Sequence, residues 1–332
     1  MQKHFLLIVF LCFSFSKELA ANSSQTLPSS VKKTSKTLAY IVSDFSIPFW
    51  QVLERGLQNS AHKLGYRIEV YSADNSTRRE LELTMQAIQN KVAGIIVSPI
   101  TSSSAATLLK FTQKANMPVV IADIGTDSGE YVSYISSDNK GGAYSVGKVL
   151  AAQLADKGWE KGSVGIIAIS QKRSNGRART AGFMRAMKEA NIKTIGIKQQ
   201  TTFLYQESYD YSIELIKQDP NLRAIWIQGS DRHQAVLDAI RDMGRKDEIL
   251  LACFDAEPIF MEMIPQKVIA VTGMQQTYLM GEEAVNTMDA HLKGIVVNKS
   301  VQLPILTVSA QNMAERLATI KRNVLGTESV QH

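Results

Sequence analysis

The feature that most constrains the fold of this chain is an alternation, from residue 37 onward, between short β-branched runs and longer segments of helical period. The run over 37–43 predicts a strand, and the next segment repeats apolar side chains every three or four positions until Gly65 ends it. Polar or glycine turns join such pairs along the chain. This pattern is typical of parallel α/β units.

The strand and helix pairs fall into two successive groups. The first group runs over 37–135 and ends at the polar break 136–139, where we expect the chain to cross into a second domain. The second group runs over 163–254. If its sheet is then complete, the strand over 268–272 and the helix over 276–293 return to the first domain. A chain of 332 residues is long enough for two domains, and ligand clefts commonly form where two domains meet.

The first residues differ in character from the rest of the chain. Lys3 and His4 precede an apolar run over residues 5–15, which is too short to span a bilayer and is typical of a signal peptide. We therefore predict a signal peptide over 1–20 and a flexible linker over 21–36. The alternative is a buried N-terminal helix, which the polar stretch after the run does not favour.

Cys253 is the one cysteine that remains once a signal peptide containing Cys12 is removed. An intramolecular disulfide is then excluded even in an oxidising compartment, so stability must come from the core. Cys253 lies in the apolar run 249–254, where we expect a small buried hydrophobe rather than a reactive thiol.

Composition and charge argue against disorder and against a nucleic-acid partner. Hydrophobic residues make up 45% and charged residues 20%, as in ordinary globular proteins. The net charge of +6 comes from scattered lysines and arginines rather than from one basic stripe. The densest basic cluster lies over 172–179, and two interpretations of it stay open: it faces an anionic ligand or partner, or it is an exposed helix start.

Candidate binding residues follow the predicted strands, because ligands of open parallel sheets bind at the carboxyl ends of strands. These positions combine aromatic rings with carboxylates and a guanidinium. Such a mixture suits a polyol, since rings stack on its C–H face while charged groups bond its hydroxyls. The candidates are Phe49, Trp50, Asp123, Arg179, Phe203 and Asp255.

Each candidate also has a purely structural interpretation. Phe49 and Trp50 could belong to helix packing, because Trp50 has apolar neighbours three and seven positions on. Asp123 and Asp255 could cap helices. Arg179 lies in the first turns of a predicted helix, where a cation is mildly unfavourable against the helix dipole, and this local cost favours a binding role.

The sequence contains no motif for cofactor or catalytic chemistry that we could identify. A dinucleotide-binding glycine motif, a phosphate loop and a Gly-x-Ser-x-Gly elbow are all missing. His62, His233 and His291 lie on separate predicted helices, so a metal site or a catalytic triad is not expected. Asp123 and Asp255 could form an acid and base pair, but no other feature supports it. We expect a protein without enzymatic activity, bound metal or cofactor.

Short motifs spread over residues 37–310 carry a family resemblance through their order and spacing. They are Ala39-Tyr40-Ile41-Val42-Ser43, Pro48-Phe49-Trp50, Gly94-Ile95-Ile96-Val97-Ser98-Pro99, Met117-Pro118-Val119-Val120 before Asp123, Ser136-Ser137-Asp138-Asn139, Arg177-Ala178-Arg179 and Phe254-Asp255. In these the chain resembles the ribose-binding-like periplasmic solute-binding proteins, the type I periplasmic binding proteins. LacI-type repressors have similar ligand cores, but a leader rather than a DNA-binding helix-turn-helix precedes the core of this chain.

The resemblance implies an α/β fold with two Rossmann-like lobes, whose parallel sheets are flanked by helices and joined by a three-crossing hinge. The N-terminal lobe would comprise 37–137 plus about 275–302, and the C-terminal lobe 138–274 plus about 303–325. A ligand would be enclosed between the lobes by hinge closure.

The resemblance also assigns roles to site residues. The stacking aromatics of the family fall on Phe49, Trp50 and Phe203, and its polar ligand-holding residues fall on Asp123, Arg179 and Asp255. Four apolar or small residues stand where ribose binders have polar ones, namely Ile47, Ile124, Gly229 and Met274. Four polar residues could replace lost contacts, namely Gln228, Ser230, Gln275 and Gln276, of which we select Gln228 and Gln275 as ligand-binding.

These departures make ribose itself doubtful, because a hydroxyl buried without a partner costs about 1–3 kcal/mol. A deoxygenated or modified sugar, a cyclitol or an amine held by aromatics and aspartates would fit the pocket better.

Two functions follow as expectations. The first is a monomeric periplasmic receptor that delivers a sugar-like ligand to an ABC permease. The second is a ligand-sensing co-receptor for a membrane sensor kinase or chemoreceptor, which the basic residues and the additional C-terminal segment 311–324 motivate. An enzyme comes third, and it would require turnover of the bound ligand.

Overall fold

The computed structural model describes residues 36–327. The predicted signal peptide over 1–20 lies outside the described residues, and so does the predicted linker over 21–36 except for Lys36. Across the described part, every helix is too short or too polar to cross a membrane.

Strands and helices alternate along most of the described chain, as the sequence pattern predicts. The strands are β1 (Thr37–Val42), β2 (Arg67–Ser72), β3 (Gly94–Ser98), β4 (Val119–Ala122), β5 (Ser133–Ser137), β6 (Ser163–Ala168), β7 (Lys193–Gln199), β8 (Leu222–Ile227), β9 (Leu250–Phe254), β10 (Val271–Met274), β11 (Ser300–Leu303) and β12 (Leu306–Ser309). The helices are α1 (Pro48–Leu64), α2 (Thr77–Gln89), α3 (Ser102–Lys114), α4 (Asn139–Asp156), α5 (Ser174–Glu189), α6 (Tyr205–Gln218), α7 (His233–Asp242), α8 (Phe260–Met263), α9 (Thr277–Leu292) and α10 (Met313–Thr319), followed by a π-helical turn, Ile320–Leu325.

The strands form two six-stranded sheets. The first has the order β11-β5-β4-β3-β1-β2, with all neighbours parallel, and the second has the order β12-β10-β9-β8-β6-β7. In the second sheet β12 alone runs antiparallel to its neighbour, β10. The chain passes between the sheets after β5, after β10 and after β11. We call the first sheet with its helices the first lobe and the second sheet with its helices the second lobe. This two-lobed α/β architecture confirms the predicted fold class.

The expected return of the strand over 268–272 to the first domain is wrong. This strand is β10, and it lies in the second sheet between β9 and β12. The second sheet still has an open edge after β9, and β10 occupies it. By contrast, α9 packs against α1 and β4 of the first lobe, so the crossing follows β10.

The central strands of both sheets bury both of their faces. In β1, Leu38 and Tyr40 point into one apolar cluster, while Ala39 and Ile41 point into the cluster on the opposite face. Such strands read as continuous apolar runs because helices cover a parallel sheet on both sides. Cys253 of β9 is fully buried in a core cluster of the second sheet and has a free thiol, as the sequence predicts.

Local sequence signals set where several helices begin. The side chain of Ser76 accepts a hydrogen bond from the backbone N–H of Arg79 and so caps α2. Thr101 and Ser104 form a reciprocal capping box at α3. Asp138 caps α4 by accepting from the Gly141 N–H, so the polar break after β5 serves as a helix start at the crossing between lobes.

The C-terminal segment packs on the fold. Ile320 and Val324 are buried in a core cluster of the second sheet. Arg322 donates to Glu282 Oε2 of α9 over 2.7 Å, and Arg55 of α1 donates to the Leu325 carbonyl over 2.7 Å. The segment therefore binds to both lobes.

Helices α1 and α9 approach so closely that only glycine fits between them. A Cβ at Gly56 would lie 2.1 Å from the Tyr278 carbonyl oxygen, and one at Gly281 would lie 2.2 Å from the Leu53 carbonyl oxygen. Both contacts are with backbone, which cannot move aside as a flexible side chain can.

We predict that Gly56→Ala lowers the free energy of unfolding by about 1–3 kcal/mol, because the added methyl group forces α1 and α9 apart. Urea unfolding followed by circular dichroism measures this loss. Gly196→Ala is the control, since a Cβ there would lie 3.9 Å from its nearest neighbour, the Gln218 side chain, and should leave stability nearly unchanged. Equal midpoints for Gly56→Ala and the wild type would contradict the close contact.

Candidate functional site

A cavity lies between the two lobes, where loops follow the carboxyl ends of strands from both sheets. The space between its walls is about 510 Å³, including the part open to solvent. All eight residues selected from the sequence line it, namely Phe49, Trp50, Asp123, Arg179, Phe203, Gln228, Asp255 and Gln275. The structure thus brings together side chains that lie far apart in the chain, while their role in ligand binding stays a prediction.

The aromatic wall of the cavity comes from both lobes. Phe49 and Trp50, at the start of α1, pack edge to face with ring centroids 4.8 Å apart. Trp50 is 3% exposed and belongs to the core cluster of the first sheet, yet it also lines the cavity. Its packing and site interpretations therefore both apply.

Phe203 holds an uncommon backbone conformation opposite these rings. Its φ of 57° lies in the left-handed region, which bulky residues rarely adopt. Glu207 Oε2 accepts the Phe203 N–H over 2.9 Å, and Arg232 Nε donates to the Phe203 carbonyl. Such strain persists where surrounding contacts hold it, which is common at binding sites.

Asp123 and Asp255 occupy equivalent positions in the two lobes. Each directly follows a strand, β4 or β9, and their φ angles are 68° and 69°. The helix-cap interpretation of Asp255 is wrong, because the next helix, α8, begins only at Phe260. Asp123 caps no helix either, since the next element is β5. Both carboxyls line the cavity instead.

Arg179 is almost completely buried, with 2% of its surface exposed, and it contacts four residues of the second lobe. Its Nε donates to Asn139 Oδ1 over 2.7 Å, and its Nη1 donates to the Gln228 carbonyl over 2.7 Å and to Asp255 Oδ2 over 3.3 Å. The guanidinium also stacks over the Phe254 ring at 4.0 Å. These contacts explain a cation in the first turns of α5, where the helix dipole disfavours it.

Two further residues of the loop and helix after β6 line the cavity, although the sequence did not single them out as binding residues. Arg173 is 7% exposed, donates from Nε to the Ile100 carbonyl of the first lobe, and lies 5.5 Å from the Phe203 ring. Burial lowers its pKa to about 10. Asn175 donates to Asp123 Oδ2 over 3.0 Å, which also links the lobes. Their position after a strand was the available signal, and it did not separate them from the rest of the basic cluster.

Asp231 and Glu257 add two carboxyls that the sequence interpretation also missed. They follow β8 and β9, so they satisfy the same strand-end rule as the selected residues. Burial, opposed by a Ser230 hydrogen bond and reinforced by the Asp231 and Asp255 carboxylates, raises the pKa of Glu257 to about 7. Burial also raises the pKa of Asp231, although Arg232 opposes the shift.

The pKa values of the two equivalent aspartates are raised as well. Burial raises the pKa of Asp123 to about 6, and Arg179 opposes this shift. Burial likewise raises the pKa of Asp255, opposed by Arg179 and by the hydrogen bond from Gln275. A ligand with a positive charge would stabilise the ionised forms of these carboxyls.

The four expected departures from the ribose-binding pattern have different outcomes. Ile47 and Gly229 line the cavity, so these two positions offer the ligand no side-chain hydrogen bond. Ile124 and Met274 are fully buried in core clusters and are not among the residues that line the cavity. The adjacent Gln275, selected from the sequence as a replacement, lines the cavity in place of Met274.

Several buried acceptor atoms in the cavity wall have no hydrogen-bond partner in the described chain. They are Asp123 Oδ1, Gln228 Oε1 and Gln275 Oε1. Buried polar atoms are normally bonded, so this set indicates a polar occupant with donors of its own. Residues 36–327 contain no cluster of three or more histidine, cysteine or acidic side chains that could hold a metal ion.

The comparisons with known proteins agree with this architecture. A family model for a periplasmic binding protein domain matches residues 38–295. The chain belongs to the periplasmic binding protein family. This confirms the predicted resemblance to the ribose-binding-like, type I members.

Individual relatives of this periplasmic binding protein are distant but cover most of its length. Ribose import binding protein RbsB of Escherichia coli strain K12 is 27% identical over 279 residues, which are 83% of this chain and 91% of that protein. RbsB of Haemophilus influenzae is 26% identical over 297 residues, 88% of this chain and 99% of that protein. A carbohydrate transporter solute binding protein from Agrobacterium radiobacter, solved with D-arabinose, has a TM-score of 0.81 at 23% identity, covering 88% of this chain and 99% of that chain. The last likeness shows a shared fold.

We predict that the stability that Asp123 and Glu257 contribute to the unliganded protein falls as the pH rises from about 4 to about 8. The folded pKa values of Asp123 and Glu257, about 6 and about 7, lie above their usual values. In that interval the folded state holds protons that the unfolded chain has released, so the free energy of unfolding falls with rising pH.

Glu257→Gln should reduce the fall between about pH 5 and about pH 8 by on the order of 2 kcal/mol. Urea unfolding at a series of pH values measures it. Glu160→Gln, which removes an exposed carboxyl that does not line the cavity, should leave the fall unchanged. Identical pH profiles for Glu257→Gln and the wild type would contradict the raised pKa.

Proposed function

We propose that this protein is a periplasmic receptor that captures a sugar or sugar-like polar ligand between its lobes and presents it to an ABC transporter. The observation that carries the proposal is the cavity between the lobes, in which aromatic rings face carboxylates and a buried guanidinium. Rings bind the C–H faces of a sugar, and charged groups bond its hydroxyls strongly. The names of the relatives, a ribose import binding protein and a carbohydrate transporter solute binding protein, support the same class of ligand.

Hinge closure is the proposed means of capture. Phe49 and Asp123 belong to the first lobe, while Phe203, Arg179 and Asp255 belong to the second, so a ligand that touches both groups holds the lobes together. The three crossings between the sheets would serve as the hinge. The signal peptide predicted over 1–20 would deliver the receptor to the periplasm.

Ribose is not the ligand that we expect. Ile47 and Gly229 line the cavity without a polar side chain, while Asp231 and Glu257 add acidic groups to it. A modified or partly deoxygenated sugar matches such a wall better, because every buried hydroxyl needs a partner.

The test is a thermal-shift screen of the secreted protein against sugars, polyols and amines, followed by calorimetric titration of the hits. A ligand that binds only the folded state raises the melting temperature. We expect Asp255→Ala and Arg179→Ala to abolish the shift from the best hit, since both contact the cavity. Asp255→Asn, which preserves the side-chain shape, replaces Asp255→Ala if the alanine variant does not fold.

The control is Arg185→Ala, which removes another arginine of α5. Arg185 is exposed, pairs with Glu189 on the same helix, lies over the Tyr144 ring and does not line the cavity. It should bind the best hit as the wild type does. Undiminished binding by the folded Asp255 and Arg179 variants would show that the ligand site lies elsewhere.

A further inference from the structure

The cavity carries more acidic than basic groups. Four carboxyls line it, from Asp123, Asp231, Asp255 and Glu257, against the two guanidiniums of Arg173 and Arg179. When all six groups are ionised, two negative charges are in excess. An unbalanced charge in a buried site is unfavourable, and a ligand of opposite charge removes the cost.

The two guanidiniums interact with Asp123 and Asp255 among the four carboxyls. Arg179 bonds Asp255 directly, and both arginines lower the pKa of Asp123 by their charge. Arg173 Nε donates its hydrogen bond to the Ile100 carbonyl. The excess of negative charge therefore falls on the other carboxyls, Asp231 and Glu257.

Asp231 and Glu257 line the cavity from the second lobe, and we call this pair the acidic corner. The two carboxylates repel each other, and the negative charge of Asp231 is among the causes that raise the pKa of Glu257. Arg232 offsets part of this charge, because its Nη1 lies 3.1 Å from Asp231 Oδ2. Glu257 Oε1 accepts only a neutral hydrogen bond, from the Ser230 hydroxyl over 2.7 Å.

Unpartnered acceptors next to this corner are an independent sign of a donor-rich ligand. Gln228 and Gln275 are 0% and 1% exposed, and the Oε1 atoms of both lack a partner. Their orientation is fixed by their Nε2 atoms, which donate to Thr180 Oγ1 and to Asp255 Oδ1 over 2.8 Å. Asp123 Oδ1 is buried and unpartnered as well. The wall therefore offers acceptors and needs a ligand that donates.

The remaining walls accept a cation readily. The rings of Phe49, Trp50 and Phe203 line the same cavity, and aromatic faces attract an ammonium group. Gly229 leaves the Asp231 carboxylate accessible, because it has no side chain. A Cβ at this position would lie 3.4 Å from Asp231 Oδ1. A neutral sugar supplies donors through its hydroxyls but leaves the negative charge unbalanced.

We propose that the ligand of this cavity is a sugar or polyol that carries a protonated amine, with the ammonium group against Asp231 and Glu257 and the hydroxyls on Asp123, Asp255 and the glutamines. The inference rests on the proposed receptor function and specifies its substrate class. The ammonium group supplies three donors and one positive charge to a corner that has acceptors and negative charge.

The test compares matched ligands by isothermal titration calorimetry of the secreted protein at about pH 6.5. The probes are glucose, galactose and mannose with their 2-amino, 3-amino and 6-amino deoxy derivatives, ribose with its 2-amino and 3-amino deoxy derivatives, and the N-acetyl forms of those amines. We expect at least one amino sugar to bind with a Kd about tenfold or more below that of its neutral parent and of its N-acetyl form. Acetylation removes the charge, so it separates the effect of charge from that of size.

The double variant Asp231→Asn with Glu257→Gln should lose this preference, so that amine and parent bind within about threefold of each other. Glu262→Gln, an exposed carboxyl of nearby α8, is the control and should keep the wild-type preference. The wild-type comparison decides the proposal by itself if the double variant does not fold.

Each outcome of the titrations either supports or overturns the amine proposal. Preference for an amine that the double variant loses supports the proposal. Neutral parents that bind as tightly as their amines would overturn it while leaving the sugar receptor intact, and so would a preference that the folded double variant retains. Failure of every amine probe, while a neutral ligand from the wider screen binds, would overturn the amine proposal alone. Failure of these probes and of the whole screen would overturn the sugar receptor function as well.

Discussion

The buried guanidinium of Arg179 is the contact on which the geometry of the cavity depends. It donates to Asn139 at the start of α4, to the carbonyl of Gln228 after β8 and to the carboxylate of Asp255 after β9. Removing one partner of a buried charge costs several kcal/mol, so none of these segments can move independently. Because α4 begins directly after a crossing between the sheets, the same network joins the cavity wall to the proposed hinge.

Around Arg179 the cavity is rich in acceptors and in negative charge. Asp123 follows β4 in the first lobe, and Asp255 follows β9 in the second, so each lobe brings a carboxyl to the same space. Asp231 and Glu257 extend the acidic wall beyond the part that Arg179 neutralises. A protein pays for such an arrangement in stability while the cavity is empty, because burial disfavours ionised carboxyls. A ligand that returns donors and positive charge would recover that cost and would couple binding to the proposed closure.

Much of the fold and of the site could be predicted from the sequence, because both depend on local order. Apolar runs alternating with helical periods determine parallel α/β units, and the carboxyl ends of parallel strands converge at one edge of a sheet. That rule, narrowed by the family resemblance, selects Phe49, Asp123, Arg179 and Asp255, and the structure brings them into one cavity. The prediction placed β10 in the wrong sheet, because the strand pattern does not show how many strands a sheet contains.

The sequence by itself thus determined the two-lobed class of the fold and the strand ends at which the site lies, because periodicity and turn chemistry are local properties. Only the tertiary structure decided which strand-end side chains face the cavity and which pack in a core, as with Gly229 against Ile124, because a shift of one residue at a strand end reverses the side chain's direction. It also decided that Asp231 and Glu257 join the site. Charge and burial depend on distances across loops from different strands, and no local pattern encodes those distances.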